Sequence, residues 1–134
     1  MNKKGFTLIE LLAVIVILAI IALIVTPVVS NIISSAKKAA NARSVEGHVK
    51  NIEYAIIQKA FEEGTGDLGI YNVAAPGGAL SASVDALLPD GDKITCEKYT
   101  IVNGTVTKAE TCTAEGWGTG NTFNYAEGSG ATAQ

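Results

Sequence analysis

The stretch KKGFTLIELLAVIVILAIIALIV, Lys3 to Val25, is apolar enough to cross a membrane, yet it carries one carboxylate, Glu10, near its start. From Leu11 to Val25 there is no polar side chain, and from Leu11 to Ala36 there is no charge. About 20 consecutive apolar residues span the hydrocarbon of a bilayer, so the run has the length of a membrane helix. An ionisable group in such a segment is costly and usually has a specific partner. Glu10 therefore calls for an explanation that hydrophobicity does not supply.

Outward from this stretch the chain is of ordinary polarity. Its 134 residues are 48% hydrophobic and 17% charged, a length that suits one domain. The division is between an apolar rod and a small soluble head. Residues 65–134 hold Lys93, Lys98 and Lys108 against eight carboxylates, a net charge of −5. Phosphate binding needs clustered cations, so no specific nucleic-acid partner is expected. The rod, residues 6–64, holds five cations and five anions.

The apolar run has three readings. A secretory signal peptide would take Lys3 and Lys4 as its charged start, but the run is long and no A-x-A-like site follows. An uncleaved anchor would keep the amino end in the cytoplasm and the head outside. Lys37, Lys38 and Arg43 beyond the far end weaken that charge bias. The third reading rests on the junction itself. Lys3, Lys4, Gly5, Phe6, Thr7, Leu8, Ile9 and Glu10, with the apolar run and Pro27 behind them, resemble the processing site of type IV pilins and pseudopilins.

The resemblance covers about the first 30 residues and implies several things. A prepilin peptidase removes the leader, residues 1–5, by cutting between Gly5 and Phe6. It then methylates the new amino terminus of Phe6. A glycine before the cut lets a protease approach the backbone closely. The apolar helix stays attached, and a free amine appears at Phe6, one helical turn from Glu10. In the resembling family this carboxylate serves filament assembly by pairing with such an amine on a neighbouring subunit. The local alternative is that Thr7-Leu8-Ile9-Glu10 is a capping box, S/T-x-x-E, which satisfies backbone donors at the helix start. The two roles are compatible before and after assembly.

The helical pattern continues past Val25. Ile32, Ile33, Ala36, Ala40, Val45, Val49, Ile52, Ile56 and Ala60 recur mostly at three- and four-residue spacing, with Tyr54, Ile57 and Phe61 widening the stripe. Glu46 and Lys50 are spaced as a favourable i,i+4 pair. A helix over 6–63 is expected, with 6–29 as the membrane or filament-core segment and 30–63 as an amphipathic half. Pro27 lacks a donor, so a kink or local melting is expected there. The resemblance gives Pro27 an assembly role, through melting within residues 19–27.

After Gly64, residues 64–92 read as a connection containing one short helical turn at Ser83–Leu88. Residues 93–126 read as an antiparallel β-sheet head: Asn103-Gly104 is a strong hairpin turn, and Thr122–Ala126 is a third strand with Phe123 and Tyr125 on one face. Residues 127–134 read as a mobile tail. Cys96 and Cys112 form a disulfide if the head is exported, and are two separate thiols otherwise. A bridge would close a loop worth about 3 kcal/mol. A two-residue turn at Asn103-Gly104 sets the two cysteines one residue out of register, on opposite faces. Pairing therefore requires a three-residue loop, a bulge, or a second strand ending before Cys112.

The fold expected is α+β and pilin-like: a long N-terminal helix packed by its C-terminal half against a small antiparallel sheet. Asn103-Gly104-Thr105 also matches a glycosylation sequon, but the turn explains it. The sole histidine, His48, reads as a solvated side chain on the rod, and Asp90-Gly91-Asp92 as a polar turn. No catalytic constellation, metal cluster or cofactor motif is visible, so an enzyme is not expected. The resemblance implies a structural subunit of a type IV pilus, a surface fimbrium. It would stand as a single-pass membrane protein with its head outside the cytoplasm before polymerising. Its partners would be copies of itself, the prepilin peptidase, and an inner-membrane assembly platform with its ATPase. The alternative is a pseudopilin of a short DNA-uptake or type II secretion filament. Adhesion and twitching motility are both open.

Overall fold

The structure, a computed structural model, describes residues 5–72, 80 and 82–134. Most of the leader, and residues 73–79 and 81 of the connection, lie outside the described residues. The chain divides into two compact units, residues 1–37 and 38–134. Both contain part of one helix, α1 (Leu8–Glu63).

In the first unit α1 begins at Leu8, two residues later than expected, because Thr7 caps it. It continues without a break through Pro27. Every described residue of this unit is exposed. Among the described residues α1 is the one helix long and apolar enough to cross a membrane.

In the second unit α1 ends in a Schellman motif. Gly64 takes φ 66°, its N–H donates to the Phe61 carbonyl at 3.2 Å, and Thr65 N–H donates to the Ala60 carbonyl at 3.3 Å. A 3₁₀ helix (Leu68–Tyr71) and α2 (Ala82–Asp85) precede the sheet. The sheet has four antiparallel strands in the order β1 (Ile94–Val102), β2 (Thr105–Ala114), β3 (Phe123–Ala126) and β4 (Gly130–Ala133). The fold is α+β, with the C-terminal half of α1 packed on the sheet. Val45, Val49, Ile52 and Ile56 of α1 meet Tyr99, Ile101, Val106, Ala109, Cys112, Phe123 and Tyr125 in one core, closed by Val84.

The β1–β2 hairpin turns at Asn103 and Gly104, whose φ values of 49° and 80° are the positive pair that a type I′ turn requires. Val102 opposes Thr105 and Ile101 opposes Val106, but from Thr100, which opposes Lys108, the register has shifted by one. This bulge at Thr107 brings Cys96 directly opposite Cys112, and the two form a disulfide. A second irregularity lies between Ala109 and Cys112 on the β3 side, where Thr111 has φ 54° and donates its N–H to Asn124 Oδ1 at 2.9 Å. The two shifts change the face pattern of β2. Its buried residues are Val106, Ala109 and Cys112, spaced by three rather than two.

Four expectations change. Residues 127–134, expected as a mobile tail, instead supply β4. Ala131 opposes Tyr125, and Gln134 N–H donates to the Thr122 carbonyl at 2.9 Å. Small residues fit because this strand is held by backbone bonds and by Glu46, whose Oε1 accepts the Ala131 N–H at 3.1 Å. Gly130 is required there: its φ is 74°, and a Cβ would stand 2.5 Å from Glu46 Oε1. Glu46 is thereby diverted from Lys50, which pairs instead with Glu53 at 2.7 Å. Tyr54 and Phe61 do not pack on the head: they are 71% and 82% exposed, and Ile57 is only partly covered. His48, expected in solvent, is buried.

Gly47 sits mid-helix, exposed, with nothing within 4 Å of the position of a Cβ. Glycine inside a helix costs about 0.5–1 kcal/mol relative to alanine. Gly47→Ala is therefore expected to stabilise the isolated chain by about that amount, read as a higher midpoint in denaturant unfolding.

Candidate functional site

The candidate site is the entry to α1. Gly5 and Phe6 are exposed and precede the helix, and nothing lies within 4 Å of the position of a Gly5 Cβ. Thr7 is the N-cap. Its N–H and its hydroxyl both donate to Glu10 Oε2, at 2.8 and 2.7 Å. Glu10 N–H donates in return to Thr7 Oγ1 at 3.4 Å, and Leu11 N–H donates to the Thr7 carbonyl at 3.2 Å. This is a complete capping box. The cap uses one carboxylate oxygen, and Oε1 makes no hydrogen bond among the described residues.

Behind Glu10 the helix surface is apolar on all sides, with Leu8, Ile9, Leu11, Leu12 and the residues that follow all exposed. The hydroxyls in this stretch are tied to backbone: Thr26 Oγ1 donates to the Ala22 carbonyl at 2.6 Å, and Ser30 Oγ to the Thr26 carbonyl at 3.0 Å. Such back-bonding lets a hydroxyl lie in an apolar medium. Pro27 offers no N–H to the Leu23 carbonyl, so this turn of the helix is a bond short.

Residues 1–26 match the model of the prokaryotic N-terminal methylation motif. This motif is the type IV pilin and pseudopilin signal. It brings the glycine junction, the capped carboxylate and the apolar helix into one unit. The methylation motif stops one residue short of Pro27 and leaves the head outside it. No curated protein and no solved structure matches the chain.

Beyond the methylation motif, the structure assembles one polar cluster that sequence reasoning missed. His48 on α1 reaches two groups far away in the chain. Its Nδ1 lies 2.8 Å from Asp92 Oδ2, and its Nε2 lies 2.9 Å from the Tyr99 hydroxyl. Cys96 N–H donates to that same hydroxyl at 3.2 Å. One arrangement of protons satisfies every group. Cys96 N–H donates to Tyr99 Oη, Tyr99 O–H donates to Nε2, and Nδ1–H donates to Asp92. Burial pushes the Tyr99 phenol up to about 12, which keeps it a donor. Asn51 Nδ2 and Ile94 N–H, both at 3.3 Å, complete the shell of Asp92. The sequence separations of 44 and 51 residues explain why no local pattern betrayed the cluster. Asp90-Gly91-Asp92 does form a turn, with Asp92 N–H donating to the Pro89 carbonyl at 3.0 Å, and the turn aims Asp92 at the helix.

Burial alone would raise the Asp92 carboxyl. The hydrogen bond from His48, with the Asn51 and Ile94 donors, outweighs this and holds it below the ordinary value of 3.8. A carboxyl lowered on folding stabilises the fold above its ordinary value, and that stability is lost as pH falls through the lowered value. The unfolding temperature should therefore fall as pH drops below about 4, and Asp92→Asn should flatten that limb of the profile.

Proposed function

We propose that this chain is a structural subunit of a type IV pilus, held in the membrane by α1 before it polymerises into a surface filament. The observation that carries the reading is the methylation motif running directly into an exposed, all-round apolar helix with one capped carboxylate at its start. Cleavage between Gly5 and Phe6 removes Lys3 and Lys4 and leaves the helix attached to the head. The methylated Phe6 amine then meets Glu10 of a neighbouring copy. The Oε1 left unused by the cap supports this pairing, because the carboxylate has a free acceptor without uncapping its own helix. The partners are further copies, the prepilin peptidase, and an assembly platform with its ATPase. The subunit itself carries out no catalysis.

Pro27 is assigned a mechanical part: on assembly the helix melts within residues 19–27, where its ladder already lacks a donor. An electron cryomicroscopy map of the filament with unbroken helix across those residues would dispose of this part.

The main experiment is electron microscopy and intact-mass measurement of protein sheared from the cell surface. Long filaments of a chain starting at methylated Phe6 are expected. Processed subunit that stays in the membrane without long filaments would favour a pseudopilin. An uncut amino terminus would overturn both readings and leave a simple anchor.

A further inference from the structure

A groove of about 520 Å³ runs between α1 and the turn that joins β3 to β4. Arg43, Gly47 and Lys50 line it from the helix, where i, i+4 and i+7 share one exposed face. Tyr125, Gly128 and Gly130 line it from the sheet. Its size falls within the range of about 300–1,000 Å³ common to small-ligand sites. Two features set it apart from an ordinary seam. Gly47 costs the helix stability, and among the described residues nothing stands near its missing Cβ to require it. It leaves bare backbone as a floor between two cations. Tyr125 is 8% exposed, and its hydroxyl makes no hydrogen bond among the described residues. No fully buried side-chain polar atom there lacks a partner, so this hydroxyl reaches the groove. Burial raises the Tyr125 phenol, so the hydroxyl stays a donor as well as an acceptor.

We propose that this groove binds a neutral, hydroxyl-rich saccharide unit, seated over Gly47 between Arg43 and Tyr125. The charges around it select that class. Arg43 and Lys50 line the groove together with Glu46, while Glu53 and Glu127 act on the same hydroxyl. Lys50 and Glu53 neutralise each other at 2.7 Å. An anion would meet Glu46 and Glu127, and a cation would meet Arg43, which pairs with no carboxylate among the described residues. A neutral ligand escapes both repulsions. It must still serve a guanidinium that only donates, a carboxylate that only accepts and a phenol that does both, and sugar hydroxyls can do all three. Hydrogen bonds to the two charged groups are the stronger ones. The glycine floor lets a ring approach the helix backbone closely. The site lies within residues 38–134 and is independent of the filament reading.

The test is calorimetric titration of the full chain in a sugar-free detergent. The probes are neutral oligosaccharides of hexoses, pentoses and N-acetylhexosamines, set against a uronic acid oligomer, an amino-sugar oligomer and inorganic phosphate. Binding of at least one neutral probe is expected, with the charged probes weaker. Gly47→Leu puts a side chain on the groove floor and should weaken that binding about tenfold or more, while the unfolding midpoint rises. Tyr125→Phe keeps the ring in the core and removes one hydrogen bond, so affinity should fall about threefold to tenfold. Phe61→Ala, outside the groove, should change nothing. Absence of binding by every neutral probe, or binding by charged probes alone, would overturn the proposal. Wild-type affinity in a folded Gly47→Leu chain would overturn the site. Should that variant fail to fold, unchanged affinity in Tyr125→Phe would overturn it instead.

Discussion

Glu10→Gln is expected to abolish filaments while processed subunit accumulates in the membrane. Glutamine keeps an oxygen for the Thr7 N–H and hydroxyl, so the cap and the helix start survive. What it removes is the charge. On the proposed reading the apolar helix lies in lipid before assembly, so moving it into a filament core gains little from the hydrophobic effect; packing and polar pairing must drive the step. Leaving the Phe6 amine without its counter-charge in that medium costs about 3–5 kcal/mol. Each 1.4 kcal/mol is a factor of ten, so the loss is about a hundredfold or more per contact. Sheared-filament yield and intact mass of the membrane fraction measure both halves of the result. Normal filaments from the glutamine variant would show that Glu10 serves the cap alone.

His48→Ala carries the largest expected loss of stability. It strips Asp92 and Tyr99 of their shared partner, and the Asp92 side chain is only 9% exposed. A part-buried carboxylate that loses one of its three donors, a buried tyrosine hydroxyl left without its acceptor, and the cavity of a buried imidazole together cost about 3 kcal/mol. For a unit of roughly 100 residues, 1 kcal/mol moves the unfolding temperature by about 4–8 °C, so a fall of more than about 12 °C is expected. Circular dichroism of the detergent-solubilised chain measures it. A fall of only a few degrees would mean that water replaces the imidazole at little cost. Nitrogen NMR of the wild-type ring is a separate check, with the proton expected on Nδ1.

The entry to α1 was legible because its chemistry is local. A glycine junction, a capping box and an unbroken apolar run lie within 25 residues, and none needs a distant partner to be recognised. The hairpin was legible for the same reason, since Asn103 and Gly104 alone among their neighbours suit two successive positive φ values. Even the mismatch of the cysteines followed from counting, although not its remedy. Local residues do not say where a strand will bulge, because the choice is made by which side chains the core accepts. On β2 it accepted Val106, Ala109 and Cys112.

The long helix followed by the first three strands, the hairpin turn and the signal at residues 1–26 were thus determined by the sequence itself. Their physical causes act over one or two turns of chain. Tertiary structure decided the rest. It drew His48 inside because Asp92 and Tyr99 were there to meet both ring nitrogens. It made a strand of Gly130–Ala133, whose small side chains carry no strand signal, because β3 had an open edge and Glu46 an open acceptor. It also left Tyr54 and Phe61 in solvent, since a helix lays only one stripe on a four-stranded sheet and Val45, Val49, Ile52 and Ile56 filled it.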